Sequence, residues 1–145
     1  MKKKVRELMT SGPAMLPDSA NLSDAAALMA DRDVGGIVVT KRGDKVIGIL
    51  TDRDIVIRAI AARRDPWTTQ ISEIVSSDDL ALASPDASVQ EIGGVMRSRA
   101  IRHVPVVDNG HLVGIVTLGD LARDADRQSA LADLNATRAD RLFPN

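Results

Sequence analysis

Gly48-Ile49-Leu50-Thr51-Asp52-Arg53-Asp54 returns as Gly114-Ile115-Val116-Thr117-Leu118-Gly119-Asp120, 66 residues further along the chain. Both copies follow a β-branched run and open a helical pattern, so each reads as a strand-to-helix corner. A 145-residue chain that carries one corner twice is an internal duplication, and that constrains its fold more than any other feature. The duplication also sets a Thr and an Asp at two symmetry-related positions, an arrangement from which a two-lobed protein builds ligand clefts at the seam of its halves.

The halves align element by element. Asn21 caps an apolar helical pattern from Leu22 to Met29, and Ser88, with Glu91 as a capping box, does the same for Val89 to Met96. Met29 matches Met96 and Arg32 matches Arg99 at an offset of 67. Short strands follow at Gly36–Thr40 and His103–Val107, then turns at Lys41–Asp44 and Asp108–Gly110. The Asn109-Gly110 pair is a strong hairpin signal. The returning strands, Lys45–Leu50 and His111–Val116, lead into helices from Asp54 to about Ala62 and from Asp120 to about Asp126. Lead-ins at Val5–Met9 and Ile71–Val75 precede apolar segments at Ala14–Leu16 and Leu80–Ala83, each read as a first strand. The expected fold class is α+β: two β-α-β-β-α repeats of α/β type, packed sheet to sheet with pseudo-two-fold symmetry. The repeats fall at 1–62 and 71–127, with a linker at 63–70 and a weakly helical tail at 128–145.

Composition narrows the function. With 19 basic and 20 acidic side chains the formal net charge is −1, which argues against a nucleic-acid or anionic-membrane partner. No apolar run approaches a membrane span, and the basic start does not lead into a secretory signal. The chain has no Cys, which excludes disulfides and thiolate chemistry and fits a reducing, cytoplasmic setting. Nor does it carry the pattern of an enzyme: no nucleophile–base pair and no clustered carboxylates with a separate base. Its two histidines, His103 and His111, have no acid or thiol at metal-ligand spacing, so no metal site is expected. Trp67 and Phe143 are the only aromatic residues, so a planar ligand would be held by aliphatic walls and backbone groups.

The element order, the doubled Gly-h-h-Thr-x-x-Asp corner and the Arg102-His103-Val104-Pro105-Val106-Val107 strand resemble a tandem pair of CBS domains, a Bateman module, over nearly the whole chain, from about Val5 to Asp126. The run Thr51 to Val56 is similar to that of stand-alone bacterial two-CBS proteins, including a mycobacterial hypoxia-response type. The resemblance implies a regulatory module that binds an adenine nucleotide (AMP, ADP or ATP) or another adenosyl ligand between the repeats. By the same resemblance it would need no cofactor, would pair into a flat homodimer and would signal to an effector chain not identified by the sequence. Asp54 and Asp120 would accept hydrogen bonds from ribose hydroxyls, and Thr51 and Thr117 would meet a phosphate at the helix entrance. Arg102 and His103 would face Thr51 and Asp54, with Arg53 as a further cation, whereas Gly35-Gly36 would serve the other cleft. Met15, Leu16, Ile37, Val38, Leu82, Ala83, Val104 and Pro105 would wall the adenine pockets. Ile57, Ile60, Ile92 and Val95 are candidates for the dimer face or for the core. Each residue also has a plainer reading: Thr-x-x-Asp as a helix cap, Arg102-His103 as solvated residues before a strand, Arg53 as a surface cation, and Gly93-Gly94 as close helix packing. The competing function is a ligand-free structural or dimerising interaction module.

Overall fold

The strands form two three-stranded sheets, and alternating apolar residues set the buried faces of the longer ones. The computed structural model describes residues 2–75 and 80–125. A 3₁₀ turn at Val5–Glu7 precedes β1 (Thr10–Ser11), β2 (Met15–Pro17), α1 (Leu22–Arg32), β3 (Gly36–Lys41) and β4 (Lys45–Thr51). One α-turn, α2 (Asp52–Asp54), passes into a π-helix at Ile55–Ile60, and a second 3₁₀ turn lies at Ile71–Glu73. Then come α3 (Val89–Arg99), β5 (His103–Asp108), β6 (His111–Thr117) and α4 (Leu118–Ala125). The sheets run β2-β3-β4 and β1-β6-β5. The tail expected to be helical, 128–145, lies outside the described residues.

Residues 2–13 with 81–125 form one compact unit, and residues 14–75 with Leu80 form the other. Each lead-in therefore packs with the later or earlier half of the chain, not with the repeat it precedes. Val5 is buried among Ala83, Ile92, Met96, Val104, Val106 and Val116, and its N–H donates to the Ala87 carbonyl at 2.9 Å. Ile71 and Ile74 are buried with Leu22, Met29, Ile37, Val39, Leu50 and Ile55.

The long helices start and stop as their caps direct. Asn21 Oδ1 accepts the Asp24 N–H at 2.8 Å, and Ser88 Oγ accepts the Glu91 N–H at 3.1 Å. Both end on a left-handed residue, Asp33 and Ala100, with φ of 54° and 53°. Gly93 of α3 faces Leu121 of α4, whose Cδ2 would lie 3.4 Å from an added Cβ, whereas Gly94 has nothing within 4 Å. The close-packing explanation thus holds for the first glycine only.

Two expected elements differ. Leu80–Ala83 forms no strand; a single bridge joins Ala83 to Val106. Two prolines bound it: Pro85 stands where Asp18 donates its N–H to Thr40 O at 2.9 Å, which ends the pairing after Ala83, and Pro105 prevents it from starting earlier. In the other unit the matching residue, Val38, donates its N–H to Ala14 O at 2.9 Å, and β2 continues to Pro17. Proline has no N–H, so the equivalent bond to Ala81 cannot form. Pairing begins at Ala83, which donates to Pro105 O and accepts from Val107 N, both at 2.9 Å. An unexpected strand, β1, lies antiparallel along β6, with Ser11 opposite Gly114. There a Cβ would fall 2.7 Å from Met9 Sδ and 2.9 Å from Thr10 O, so Gly114 is what lets β1 approach. The helix expected from Asp54 to Ala62 is π-helical over most of its length: Ala61 N donates to Val56 O at 2.8 Å and Arg64 N to Ala59 O at 2.9 Å.

Candidate functional site

Each strand-to-helix corner closes as a reciprocal box. At the first, Thr51 Oγ1 accepts the Asp54 N–H at 3.1 Å, and Asp54 Oδ2 accepts the Thr51 N–H at 3.0 Å. At the second, Thr117 Oγ1 accepts the Asp120 N–H at 3.1 Å, and Asp120 Oδ2 accepts the Thr117 N–H at 2.8 Å. The two orphan donors of a helix start are thereby satisfied by a Thr and an Asp three residues apart. A further bond ties each corner to the start of its middle strand: Asp52 N to Gly35 O at 3.0 Å, and Leu118 N to Arg102 O at 2.9 Å. Register does the rest, with Gly36 opposite Thr51 and His103 opposite Thr117.

The box uses one oxygen of each aspartate. The other meets an arginine one turn along the helix. Asp120 Oδ1 accepts from Arg123, and Asp54 Oδ1 lies 3.9 Å from Arg58 Nε. Arg58 also donates to Ile74 O at 2.9 Å. The side chain of Asp54 is 28% exposed and that of Asp120 8%. The spacing of the arginines differs in step with the winding of the two helices. Arg123 follows its aspartate by three residues and Arg58 by four. A helix with i→i+5 bonds turns less per residue, so its fourth residue falls back toward the place an α-helix gives its third.

The pair Arg102-His103 stands beside the Thr117–Asp120 corner of its own unit, where the other unit has Gly35-Gly36. Arg102 is exposed and His103 half-buried. Burial and the Arg102 charge push the His103 imidazole below its usual pKa, and the Asp120 carboxylate opposes them. Arg53 is exposed, and its N–H donates to Asp52 Oδ1 at 2.8 Å.

The proposed adenine walls divide by sheet face. Ile37 and Val104 point into the two cores, as does Ala83, while Val38 and Pro105 lie on the opposite faces of β3 and β5 and are also buried. Met15 and Leu82, which correspond at the offset of 67, are exposed, and Leu16 is half-buried against the first core. Ile92 belongs to the core, whereas Ile57 and Ile60 are each 53% exposed. The sequence reading missed Arg58 and Arg123. Their signal was there: a cation one turn after each duplicated aspartate.

A doubled unit of sheet and helices, each with a Thr–Asp corner, defines the class. The CBS domain model matches residues 5–60 and 71–126, and the chain belongs to the CBS-domain family, with two copies of the domain. It is 38% identical over 118 residues to Hypoxic response protein 1 of Mycobacterium tuberculosis, covering 81% of this chain and 82% of that one. It is 40% identical over 118 residues to the CBS domain-containing protein YhcV of Bacillus subtilis, with the same coverage. The crystal structure of Hypoxic Response Protein I with two coordinated zinc ions superposes with a TM-score of 0.76 at 36% identity, over 83% of this chain and 98% of that one. A hexameric CBS-CP12 protein from bloom-forming cyanobacteria superposes with a TM-score of 0.76 at 28% identity, over 86% and 72% of the two chains.

Among the described residues the donors do not fit zinc. The chain has no Cys, and among the described residues no three His, Cys, Asp or Glu gather as a metal site. His103 has the Arg102 charge beside it, which disfavours a cation. Among the described residues no helix is long and apolar enough to cross a membrane. The fold is of a regulatory module type.

Proposed function

We propose that the chain is a non-catalytic sensor of an adenine nucleotide or other adenosyl ligand. The observation that carries this reading is the doubled Thr–Asp box. It holds an aspartate rigidly at each strand-to-helix corner, with one oxygen spent on the backbone and the other facing an arginine one turn along the helix. A carboxylate so fixed accepts hydrogen bonds from a ribose hydroxyl pair at small entropic cost. Asp54 and Asp120 take the ribose. Thr51, Thr117, Arg53 and the Arg102-His103 pair take the phosphate. Met15, Leu16 and Leu82 supply apolar surface for adenine, and Ile37, Val38, Ala83, Val104 and Pro105 supply the strands that carry it. Ligand binding shifts the population of conformers, and a partner chain reads the shift. The setting is cytoplasmic.

The test is thermal unfolding of the pure protein with excess AMP, ADP, ATP, NAD and S-adenosylmethionine in turn. A ligand at 100 times its Kd stabilises by about 2.7 kcal/mol, several degrees in midpoint for a chain of this size. A shift with one of these, lost in Asp54→Ala, is the expected result. No shift with any of them overturns the reading.

A second reading, a dimerising interaction module, draws on Val56, Ile57 and Ile60. They expose 54%, 53% and 53% of their surface side by side on the π-helical turn. A homodimer covering that face would make Ile57→Asp monomeric by sedimentation, and an unchanged sedimentation coefficient would remove that face from the assembly.

A further inference from the structure

The oxygens left over by the two boxes are not equally open. Asp120 Oδ1 accepts from Arg123, and the carboxylate is nearly buried, at 8% exposure. Its other oxygen is held by the Thr117 N–H at 2.8 Å. Both oxygens are therefore engaged from within the chain. Asp54 Oδ1 lies 3.9 Å from Arg58 Nε, beyond good hydrogen-bond length, and the carboxylate is 28% exposed. Arg58 spends another nitrogen on the Ile74 carbonyl at 2.9 Å, which holds its guanidinium partly away from Asp54.

We infer that Arg123 is an internal competitor for the ligand-binding carboxylate of the second corner, so that the Asp54 corner takes a ribose hydroxyl pair first and the Asp120 corner takes one only when Arg123 is displaced. The inference rests on the adenosyl reading above. A guanidinium and a ribose diol are both donors to a carboxylate, and one oxygen cannot serve both fully. Both bonds are charge-assisted by the carboxylate, but the guanidinium adds a full opposite charge, so a neutral diol must displace Arg123 against an ion pair at the second corner, and only against a long, divided contact at the first. The ligand that reads this difference most plainly is adenosine. It brings the diol without a phosphate, so removing an arginine cannot also remove a phosphate contact.

The experiment is calorimetric titration with adenosine of the full chain and of four variants (Asp54→Ala, Arg123→Gln, and Asp54→Ala combined with Arg123→Gln or with Arg123→Met), with the thermal midpoint of each as the check on folding. The wild-type protein is expected to bind one adenosine per chain. Asp54→Ala is expected to lose at least about tenfold in affinity, the least that one lost charge-assisted bond predicts. Arg123→Gln is expected to bind two per chain. Asp54→Ala combined with Arg123→Gln is expected to regain one, now at the second corner. A regained site is an outcome that a merely structural arginine does not produce. Arg123→Met supplies the same release with a different side chain should the glutamine itself bond to Asp120. If the wild-type protein binds and Asp54→Ala does not, yet neither double variant regains a site while still folded, the inference is overturned and the adenosyl reading stands. If the wild-type protein binds neither adenosine nor the nucleotides tested above, the reading falls and the inference with it.

Discussion

The two corners share a backbone and differ in what surrounds it. Both boxes match to within a few tenths of an ångström, from Thr51 and Asp54 to Thr117 and Asp120. Around the first lie Gly35-Gly36, an arginine four residues on and a π-helix; around the second lie Arg102-His103, an arginine three residues on and an α-helix. Duplication preserved the part that starts a helix. The side chains that set charge and openness were left to diverge. The cap and the candidate binding group are thus the two oxygens of one carboxylate, and a substitution that removes one removes the other.

The largest effect expected is on stability. Asp120→Ala removes an acceptor that serves both a backbone N–H and a guanidinium in a nearly buried place, and should cost about 2–3 kcal/mol. Asp54→Ala loses the box at a more open corner and should cost about 1 kcal/mol. Urea unfolding of both variants measures the difference, and equal losses would break the comparison. Arg58→Ala, which removes a long and exposed i,i+4 pair, should cost no more than about 0.5 kcal/mol through that pair.

The next effect lies in the helices behind the corners. Where α1 has Ala26-Ala27, α3 has Gly93-Gly94 at the offset of 67. Gly94→Ala meets open space and should stabilise the second unit by about 1 kcal/mol, the helix propensity difference. Gly93→Ala should gain less, because its methyl group meets Leu121 Cδ2 at 3.4 Å. A larger gain at Gly93 than at Gly94 would contradict the packing described for α3 on α4.

Much of this was legible in the sequence because it is local. Asn21, Ser88 and the Thr-x-x-Asp runs declare helix starts, and alternation declares β3 to β6. Three features were not legible for physical reasons. The π-helix differs from an α-helix by one step in hydrogen bonding, and Ile55 to Ile60 carries no residue that forbids either. The exchange of lead-ins is a long-range choice: Val5 and Ile71 each read as an apolar residue in search of a core, and nothing local says which core. The Asp–Arg contacts were hidden because the reading looked next to the aspartate, at Arg53, and not one turn further, at Arg58 and Arg123. Pro105 is a different case. Its missing N–H was printed in the sequence, as was that of Pro85, and together they predict that the strand at Leu80–Ala83 shortens to one bridge.

The last effect vanishes at neutral pH. Only the second corner has a titratable ring, since Gly36 stands where His103 does. The groups acting on that ring are Arg102 and Asp120, and Asp120 is itself paired with Arg123. Burial, then the Arg102 charge, lower the folded-state pKa below the ordinary value of 6.5, and Asp120 recovers only part of it. A histidine that is harder to protonate when folded leaves the unfolded chain binding more protons. Its contribution to stability is therefore complete above pH 6.5 and is lost as the pH falls from there toward the folded-state pKa. His103→Gln should flatten the stability profile in that window and leave it unchanged at pH 8, as followed by urea midpoints across the range. Arg102→Gln should leave the onset near pH 6.5 but make the loss smaller and end it at a higher pH, because with that charge gone the folded-state pKa rises toward the ordinary value. A profile that His103→Gln leaves untouched would mean that the ring titrates as it does in water, and the two corners would then differ in their arginines alone.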